Sequence, residues 1–360
     1  MEQVIDDMNA DQPFETLGSF GKTGLSVPQI IYGTSFMGNL YHELPWEVKL
    51  QIMEKWFEVS PSAPMIDCAG KYGAGLALEV IGKGLNELEI KREDIIISNK
   101  LGWYRVPLTS SEPTFEPGAW VNLKNDAVQK ISYQGILDCW EQGCELLGGY
   151  YKPQVVSVHD PDEYLFAADG SEDRAKSLKD VIEAYRALFE LKEKGEVKAV
   201  GIGAKDWWII KELYEYVRFD WVMFANKLTI YHHPPEIIDF IERIHKEGVG
   251  IINSAIFNAG FLTGGDYFDY RKIDPNNEED RKLIEWRERF FNICEKYNVS
   301  PGDACLKFAL AMPQVSAVAL NPSKPSRIER NVEVVASDLP DGFWQELKAQ
   351  KIVSAHFRYL

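Results

Sequence analysis

The chain has 360 residues, 45% of them hydrophobic and 26% charged, enough for one large α/β barrel or two ordinary domains. Its 55 acidic residues against 39 basic ones leave a formal charge of −16, a field that repels nucleic acid and acidic membranes and argues against both as general partners. The five cysteines, Cys68, Cys139, Cys144, Cys294 and Cys305, match no metal-ligand spacing, so the expectation is reduced thiols, a cytoplasmic location and no bound metal.

In chain order, the acidic N-terminus MEQVIDDMNADQPFE has no apolar centre and does not read as a secretory leader; residues 1–13 are expected to be flexible. FETLGSFGKTGLSV, at 14–27, carries turn chemistry at Gly21–Gly24 and is expected to form a hairpin closing one end of the domain. Short apolar runs then read as strands at 28–33, 64–67, 95–99, 154–158, 198–202, 221–225, 249–253 and 315–320. Helical patterns lie between and after them at 46–59, 76–88, 132–148, 176–193, 206–217, 234–246, 281–297 and 324–336. The runs are continuously apolar, as strands covered on both faces must be. Eight alternations without a linker predict a single domain over 1–360 with a closed (β/α)8 TIM barrel fold. The segment 101–131 is expected to be a long Pro- and aromatic-rich loop after the third strand, and 337–360 a tail folded back over one face.

A barrel gathers the C-terminal ends of its strands around one mouth. Those ends read Gly33-Thr34, Asp67, Lys100, His159-Asp160, Asn226-Lys227, Asn253-Ser254 and Asn321–Lys324. Asp67 and Lys100 end neighbouring strands, so an ion pair there relieves a costly buried carboxylate and orients the ammonium. Tyr72 follows in the glycine-flanked loop GKYGAG and can curl back over Lys100. The cation is expected to lower the phenol's pKa toward working pH, which makes Tyr72 a credible general acid and base, with His159 adding an imidazole hydrogen bond to the same oxygen. The Gly-x-Gly at 73–75 lacks the dinucleotide context and reads as the turn into helix 76–88.

Anion chemistry gathers at the last two strand ends. NPSKPSRIERN places Lys324, Arg327 and Arg330 around a helix N-terminus, with Ser323 and Ser326 as candidate caps. NSAIFNAGFLTGG supplies Ser254 and Gly260 beside them, where barrels favour phosphate.

Taken together, SFGKTGLSVPQIIYGTSFMGNL (19–40), MIDCAGKYGAG, IIISNKLG (95–102), VVSVHDPD (155–162) and RIERNVE (327–333) resemble the aldo-keto reductase superfamily across nearly the whole chain. The HDPD variant and the long loop after Lys100 look nearest to its D-threo-aldose 1-dehydrogenase, or L-fucose and L-galactose dehydrogenase, branch. The resemblance implies NAD- or NADP-dependent hydride transfer, with the catalytic positions falling on Asp67, Tyr72, Lys100 and His159. Candidate cofactor contacts are Gly33, Thr34, Asn226, Ser254, Ile256, Gly260, Ser323, Lys324, Arg327, Arg330 and Asn331, and Trp103, Tyr104 and Trp120 are candidate sugar-stacking residues. Where many relatives have Ser-Asn after the fifth strand this chain has Ala204-Lys205, and Asn253 falls where many stack a tyrosine on the nicotinamide. The implied partner is a small molecule, an aldose or aldehyde, acted on by a monomer or small homo-oligomer. A general aldehyde or ketone reductase is the competing enzyme reading, and a non-catalytic cofactor-binding sensor barrel is the reading from another class.

Overall fold

The computed structural model describes residues 17–60, 62–269 and 271–360. The segment 1–13 and the first three residues of the expected hairpin lie outside the described residues. The hairpin itself forms, with β1 (Leu17–Ser19) antiparallel to β2 (Ser26–Pro28). The chain continues through β3 (Ile30–Gly33), α1 (Trp46–Val59), β4 (Met65–Ala69), α2 (Leu76–Glu87) and β5 (Ile96–Leu101). After β6 (Trp103–Pro107) and β7 (Asn125–Gln129) come α3 (Tyr133–Leu146), β8 (Val155–His159), α4 (Pro161–Phe166) and α5 (Gly170–Glu193). Next are β9 (Ala199–Ala204), α6 (Trp207–Tyr214), β10 (Trp221–Ala225), α7 (Pro235–Lys246) and β11 (Gly250–Ser254). The short pair β12 (Tyr267–Phe268) and β13 (Arg271–Lys272) precedes α8 (Glu278–Lys296) and α9 (Pro301–Ala309), then β14 (Ala317–Leu320), α10 (Pro325–Ala336) and α11 (Phe343–Ala349).

Strands β3, β4, β5, β8, β9, β10, β11 and β14 close in that order into a parallel barrel, the (β/α)8 architecture expected from the sequence. Alternate residues of each strand fill the interior. Near the floor these are Ile31, Met65, Val155, Ala199, Trp221, Ile252 and Ala317, plugged from below by Phe20, Leu25 and Val27 of the hairpin. Gly250 is required there, because a Cβ would lie 2.6 Å from the Phe20 ring, and Gly201 makes the same allowance for Trp221. Outward-facing strand residues join the helices in two large apolar clusters that account for most of the buried core.

Two segments differ from expectation. The stretch after the third barrel strand is not an open loop: β6 and β7 pair antiparallel from Trp103–Gln129 to Pro107–Asn125, so backbone hydrogen bonds anchor it and only its tip is irregular. An extra helix, α4, follows His159, and α5 starts at Gly170, earlier than the apolar pattern beginning at 176. The tail folds back as expected, against the side of the barrel, where the Ser354 amide donates to His233 of the loop after β10. Phe343, Leu347 and Phe357 are buried against the outer helices, Phe357 stacks on Phe308 of α9 at 4.3 Å, and Leu360 shares a cleft with Gln29, which precedes β3.

Candidate active site

Two residues above the apolar floor, the inward positions turn polar. Asp67 on β4 lies beside Ser98 on β5, and Lys100, one inward step higher, pairs with Ser157 on β8; His159 ends β8 opposite Gly203. The alternation that buries Met65, Ile96 and Val155 therefore aims Asp67, Lys100 and His159 into the mouth. Asp67 and Lys100 are 4% and 5% exposed, and Lys100 Nζ donates to Asp67 Oδ2 in a short ion pair. Ser98 Oγ donates to the other carboxylate oxygen at 3.1 Å, and Thr34 Oγ1 holds the Asp67 carbonyl at 3.0 Å.

Tyr72 reaches this pair from the loop after β4. Lys100 Nζ donates to its hydroxyl at 3.1 Å and lies 4.9 Å from the ring centre. The loop is fixed by a close backbone approach: a Cβ on Gly73, whose φ is +62°, would lie 2.3 Å from the Gly38 carbonyl oxygen. Gly75 then opens α2, as the turn reading of 73–75 required. The His159 ring meets Tyr72 edge-on at 5.7 Å, and the Trp120 ring lies 6.0 Å away on the tip of the β6–β7 connection. Asp67, Tyr72, Lys100 and His159 are thus brought together.

The electrostatics depart from expectation in one respect. Burial of the Tyr72 hydroxyl pushes its pKa up to about 12; Lys100 pulls it down but does not win, and Asp67 opposes Lys100. Sequence position gave the cation but not the depth of burial. Burial also works against the Lys100 ammonium, yet Asp67 and Tyr72 raise its pKa overall, so it stays charged. The His159 ring is held well below the ordinary histidine range by burial, then by Lys71, Lys100 and Lys205. Its Nδ1 is buried without a hydrogen-bond partner and its Nε2 lies 3.5 Å from Asp160 Oδ2, so the expected bond to the tyrosine oxygen is not made.

The aromatic candidates divide. Trp103 and Trp120 pack with Phe115 and Ala74 beside Tyr72, and Trp120 Nε1 donates to Glu116 at 2.7 Å. Tyr104, the next residue of β6, necessarily faces the other way: it packs against the helix-side core with Lys130 Nζ 3.9 Å above its ring.

The cofactor candidates also separate. Asn226 closes β10 in a left-handed conformation, φ +61°, buried, with Oδ1 lacking a partner among the described residues. Asn253 is off the mouth: its Nδ2 donates to the Leu228 and Ala309 carbonyls at 2.8 and 3.4 Å, toward α9. Inward-facing Ser254 donates to the Phe224 carbonyl at 3.1 Å, and Ile256 is buried in the apolar core. Gly260 has φ +92° and opens a short 3-10 turn. Gly33 is bounded by Asn321, whose amide donates to Ser35 Oγ. At α10 the expected serine cap is absent: Lys324 occupies the cap position, and neither Ser323 nor Ser326 bonds the helix start. Lys324 and Arg327 are exposed and Asn331 is half-buried on α10. Arg330 instead pairs with Asp303 on α9 and with Glu333, and Glu329 is drawn to Lys55 at 2.6 Å.

Sequence reasoning named Lys205 and Lys227 at the strand ends but missed the buried charge cluster around Lys71. Lys71 is buried and pairs with Glu116, Asp160 and Glu163. Lys205 pairs with Glu163, while Asp162 accepts the Lys205 and Asp206 amides rather than capping α4. Lys227 lies 3.9 Å from Asp269. Tyr41 was also missed. Its backbone is left-handed, φ +61°, and its side chain is largely exposed, but partial desolvation of the hydroxyl, then Glu116 and Tyr267, raise its pKa against Lys205, which places it on the same rim. The available signal was a lysine inside an otherwise small-residue glycine loop.

A barrel with a tyrosine, a lysine–aspartate pair and a histidine at its mouth is the frame of a carbonyl oxidoreductase, and the chain belongs to the aldo/keto reductase family, whose model matches residues 29–352. Membership carries NAD(P)-dependent oxidoreduction of small carbonyl compounds, and the family typically binds NAD(P)(H). The chain is 26% identical to pyridoxal 4-dehydrogenase of Microbacterium luteolum, over 93% of this chain and 97% of that protein. It is 24% identical to D-threo-aldose 1-dehydrogenase of a Pseudomonas species, over 92% and 96% respectively. In fold it is similar to the holo form of an aldo-keto reductase from Bacillus halodurans, with a TM-score of 0.67 and 20% identity over 95% of this chain and 97% of that one. Among the described residues no helix is long and apolar enough to cross a membrane.

Proposed function

We propose that the protein oxidises the anomeric carbon of an aldose such as L-fucose, L-galactose or D-arabinose, using NAD or NADP, with Tyr72 as the general acid and base. The observation that carries this reading is the Lys100 ammonium, anchored by Asp67 and 3.1 Å from the Tyr72 hydroxyl. A bound nicotinamide supplies the hydride acceptor and, when oxidised, a positive charge. Asn226 Oδ1 fits its carboxamide, because a buried acceptor without a partner is costly until a donor arrives. The uncapped start of α10 with Lys324 and Arg327 suits the 2′-phosphate that distinguishes NADP from NAD, whereas Arg330 is already engaged.

In oxidation Tyr72, once ionised to phenolate, would take the hemiacetal hydroxyl proton while the carbon gives up hydride to the nicotinamide, and its C–O bond becomes the carbonyl of a lactone. Ionisation of Tyr72 would be helped by Lys100 and, in the same direction, by the positive charge of an oxidised nicotinamide, against the burial that keeps the free phenol protonated. In reduction neutral Tyr72 donates to the nascent alkoxide. His159 offers Nε2–H to the same oxygen, and Trp103 and Trp120 flank the ring of the substrate.

A second reading rests on the apolar wall of Trp103, Phe115 and Trp120 and on the pyridoxal-oxidising relative: a heteroaromatic aldehyde. Pyridoxal can close on its own hydroxymethyl group to a cyclic hemiacetal, so both substrate types present a similar reacting carbon. A panel of aldoses, pyridoxal and simple aldehydes with each cofactor, followed by nicotinamide absorbance, tests the proposal. Reduction of cofactor by L-fucose, L-galactose or D-arabinose supports it. Silence with every aldose alongside turnover of a simple aldehyde refutes it.

A further inference from the structure

Lys71 stands immediately before Tyr72 and is 3% exposed. Its ammonium lies 2.8 Å from Glu116 Oε1, 3.3 Å from Asp160 Oδ2 and 3.3 Å from Glu163 Oε2, and 5.0 Å from the Trp103 ring centre. Glu116 comes from the tip of the β6–β7 connection, and Asp160 and Glu163 come from the end of β8 and from α4. Burying a lysine here is tolerable only because three carboxylates from separate segments converge on it.

Asp160 links this cluster to the reacting groups. Its backbone is left-handed, φ +46°, in the residue directly after His159, and its side chain does not cap α4. The oxygen that accepts from Lys71 also lies 3.5 Å from His159 Nε2 and 3.9 Å from Lys205 Nζ. The other ring nitrogen, Nδ1, is buried and unpartnered. A proton on Nε2 faces a carboxylate oxygen 3.5 Å from the nitrogen, though short of a hydrogen bond, whereas a proton on Nδ1 faces nothing that can accept it, which favours the Nε2–H form of the neutral ring.

We propose that Lys71 is a positioning residue: by sharing Asp160 Oδ2 with His159, it lets that carboxylate hold the ring proton on Nε2 without drawing a second proton onto Nδ1. The inference rests on the reading in which His159 offers Nε2–H to the reacting oxygen. The groups around the ring are Tyr72 and Lys71 from the β4 loop, and Lys100 on β5 with Asp67 behind it. Glu116 comes from the β6–β7 tip, Asp160 and Glu163 from the β8 end and α4, and Lys205 from the end of β9. Of these, Lys71 and Lys100 are the cations that bear most on the ring, and Lys100 is committed to Asp67. Without Lys71, the carboxylates of Glu116, Asp160 and Glu163 are left facing Lys205. A ring in that field gains proton affinity, although burial still opposes its charge, and an imidazolium formed there is held by Asp160.

The test is the protonation state of His159 by nitrogen and carbon NMR of the ligand-free protein with labelled histidine, the resonance being assigned among six histidines by His159→Gln. The wild-type ring should be the Nε2–H tautomer and should titrate well below the ordinary histidine range, because burial and then the neighbouring lysines disfavour its charge. In Lys71→Met its midpoint should rise by about one pH unit or more, a tenfold or greater gain in proton affinity, and the acid limb of kcat/KM should rise with it. Lys71→Met with Asp160→Asn should bring the midpoint back toward that of the wild type. An Nδ1–H tautomer in the wild type overturns the proposal without recourse to any variant. So does a folded Lys71→Met whose ring titrates as the wild type does, or a double variant that titrates like Lys71→Met. The NMR arm needs no substrate, so failure of the sugar reading leaves it interpretable, and failure of the NMR arm alone removes only the role of Lys71.

Discussion

Replacing Lys100 by methionine removes the cation beneath Tyr72 and strands Asp67. The carboxylate is 4% exposed and, among the described residues, retains only the Ser98 hydroxyl at 3.1 Å as a side-chain donor. Breaking one half of a buried pair costs about 3–5 kcal/mol, because the remaining charge has lost its solvent and its partner together. Removing both charges is far milder, so Asp67→Asn with Lys100→Met should recover most of that loss, a coupling of at least about 2 kcal/mol. Activity should behave differently. The double variant still lacks the ammonium 3.1 Å from the tyrosine oxygen, so kcat stays as low as in Lys100→Met. Urea unfolding followed by tryptophan fluorescence gives the stabilities, with an unchanged m-value as the check on two-state behaviour. A loss below about 1 kcal/mol in Lys100→Met, or a double variant less stable than either single one, would refute the argument that Asp67 is held charged in a desolvated site.

Burial places the Tyr72 pKa at about 12, above its ordinary value, and the proton-donating form exists below that pKa and is lost as pH rises through it. Reduction should therefore show no base limb from Tyr72 until above about pH 10, and a limb near neutrality contradicts the assignment. Asn226→Ala should weaken nicotinamide cofactor binding roughly tenfold, read by quenching of tryptophan fluorescence, since the orphaned Oδ1 is the group proposed to meet the carboxamide. Arg327→Ala should weaken NADP by about ten- to a hundredfold and NAD much less, while Arg330→Ala, whose guanidinium serves Asp303 and Glu333, should change neither; equal losses in both variants contradict the phosphate assignment.

Much of this molecule was legible in its sequence because barrel chemistry sits at strand ends. Once Met65–Ala69 and Ile96–Leu101 are neighbouring parallel strands, Asp67 and Lys100 must share the interior, and Tyr72 is one loop away. What stayed hidden depended on distances between segments remote in sequence. Lys71 meets Glu116, Asp160 and Glu163 only because the barrel brings the β4 loop, the β6–β7 tip and α4 to one rim. The sign of the Tyr72 shift depended on how deeply its hydroxyl is desolvated, which residue types do not record. The hairpin at 103–129 was masked by a proline-rich tip separating its two strands. Tyr104 and Asn253 were misplaced for a simpler reason: in a strand a shift of one residue exchanges inside for outside.

The central claim is that one hydroxyl, that of Tyr72, exchanges the proton while Lys100 and Asp67 hold it in place. Tyr72→Phe removes that oxygen and little volume, so the decisive measurement is kcat of this variant beside cofactor affinity, on whichever substrate the wild type turns over. A fall of about 10²–10⁴ in kcat with cofactor binding retained is the predicted result. A Tyr72→Phe enzyme turning over within a few-fold of the wild type would contradict the account.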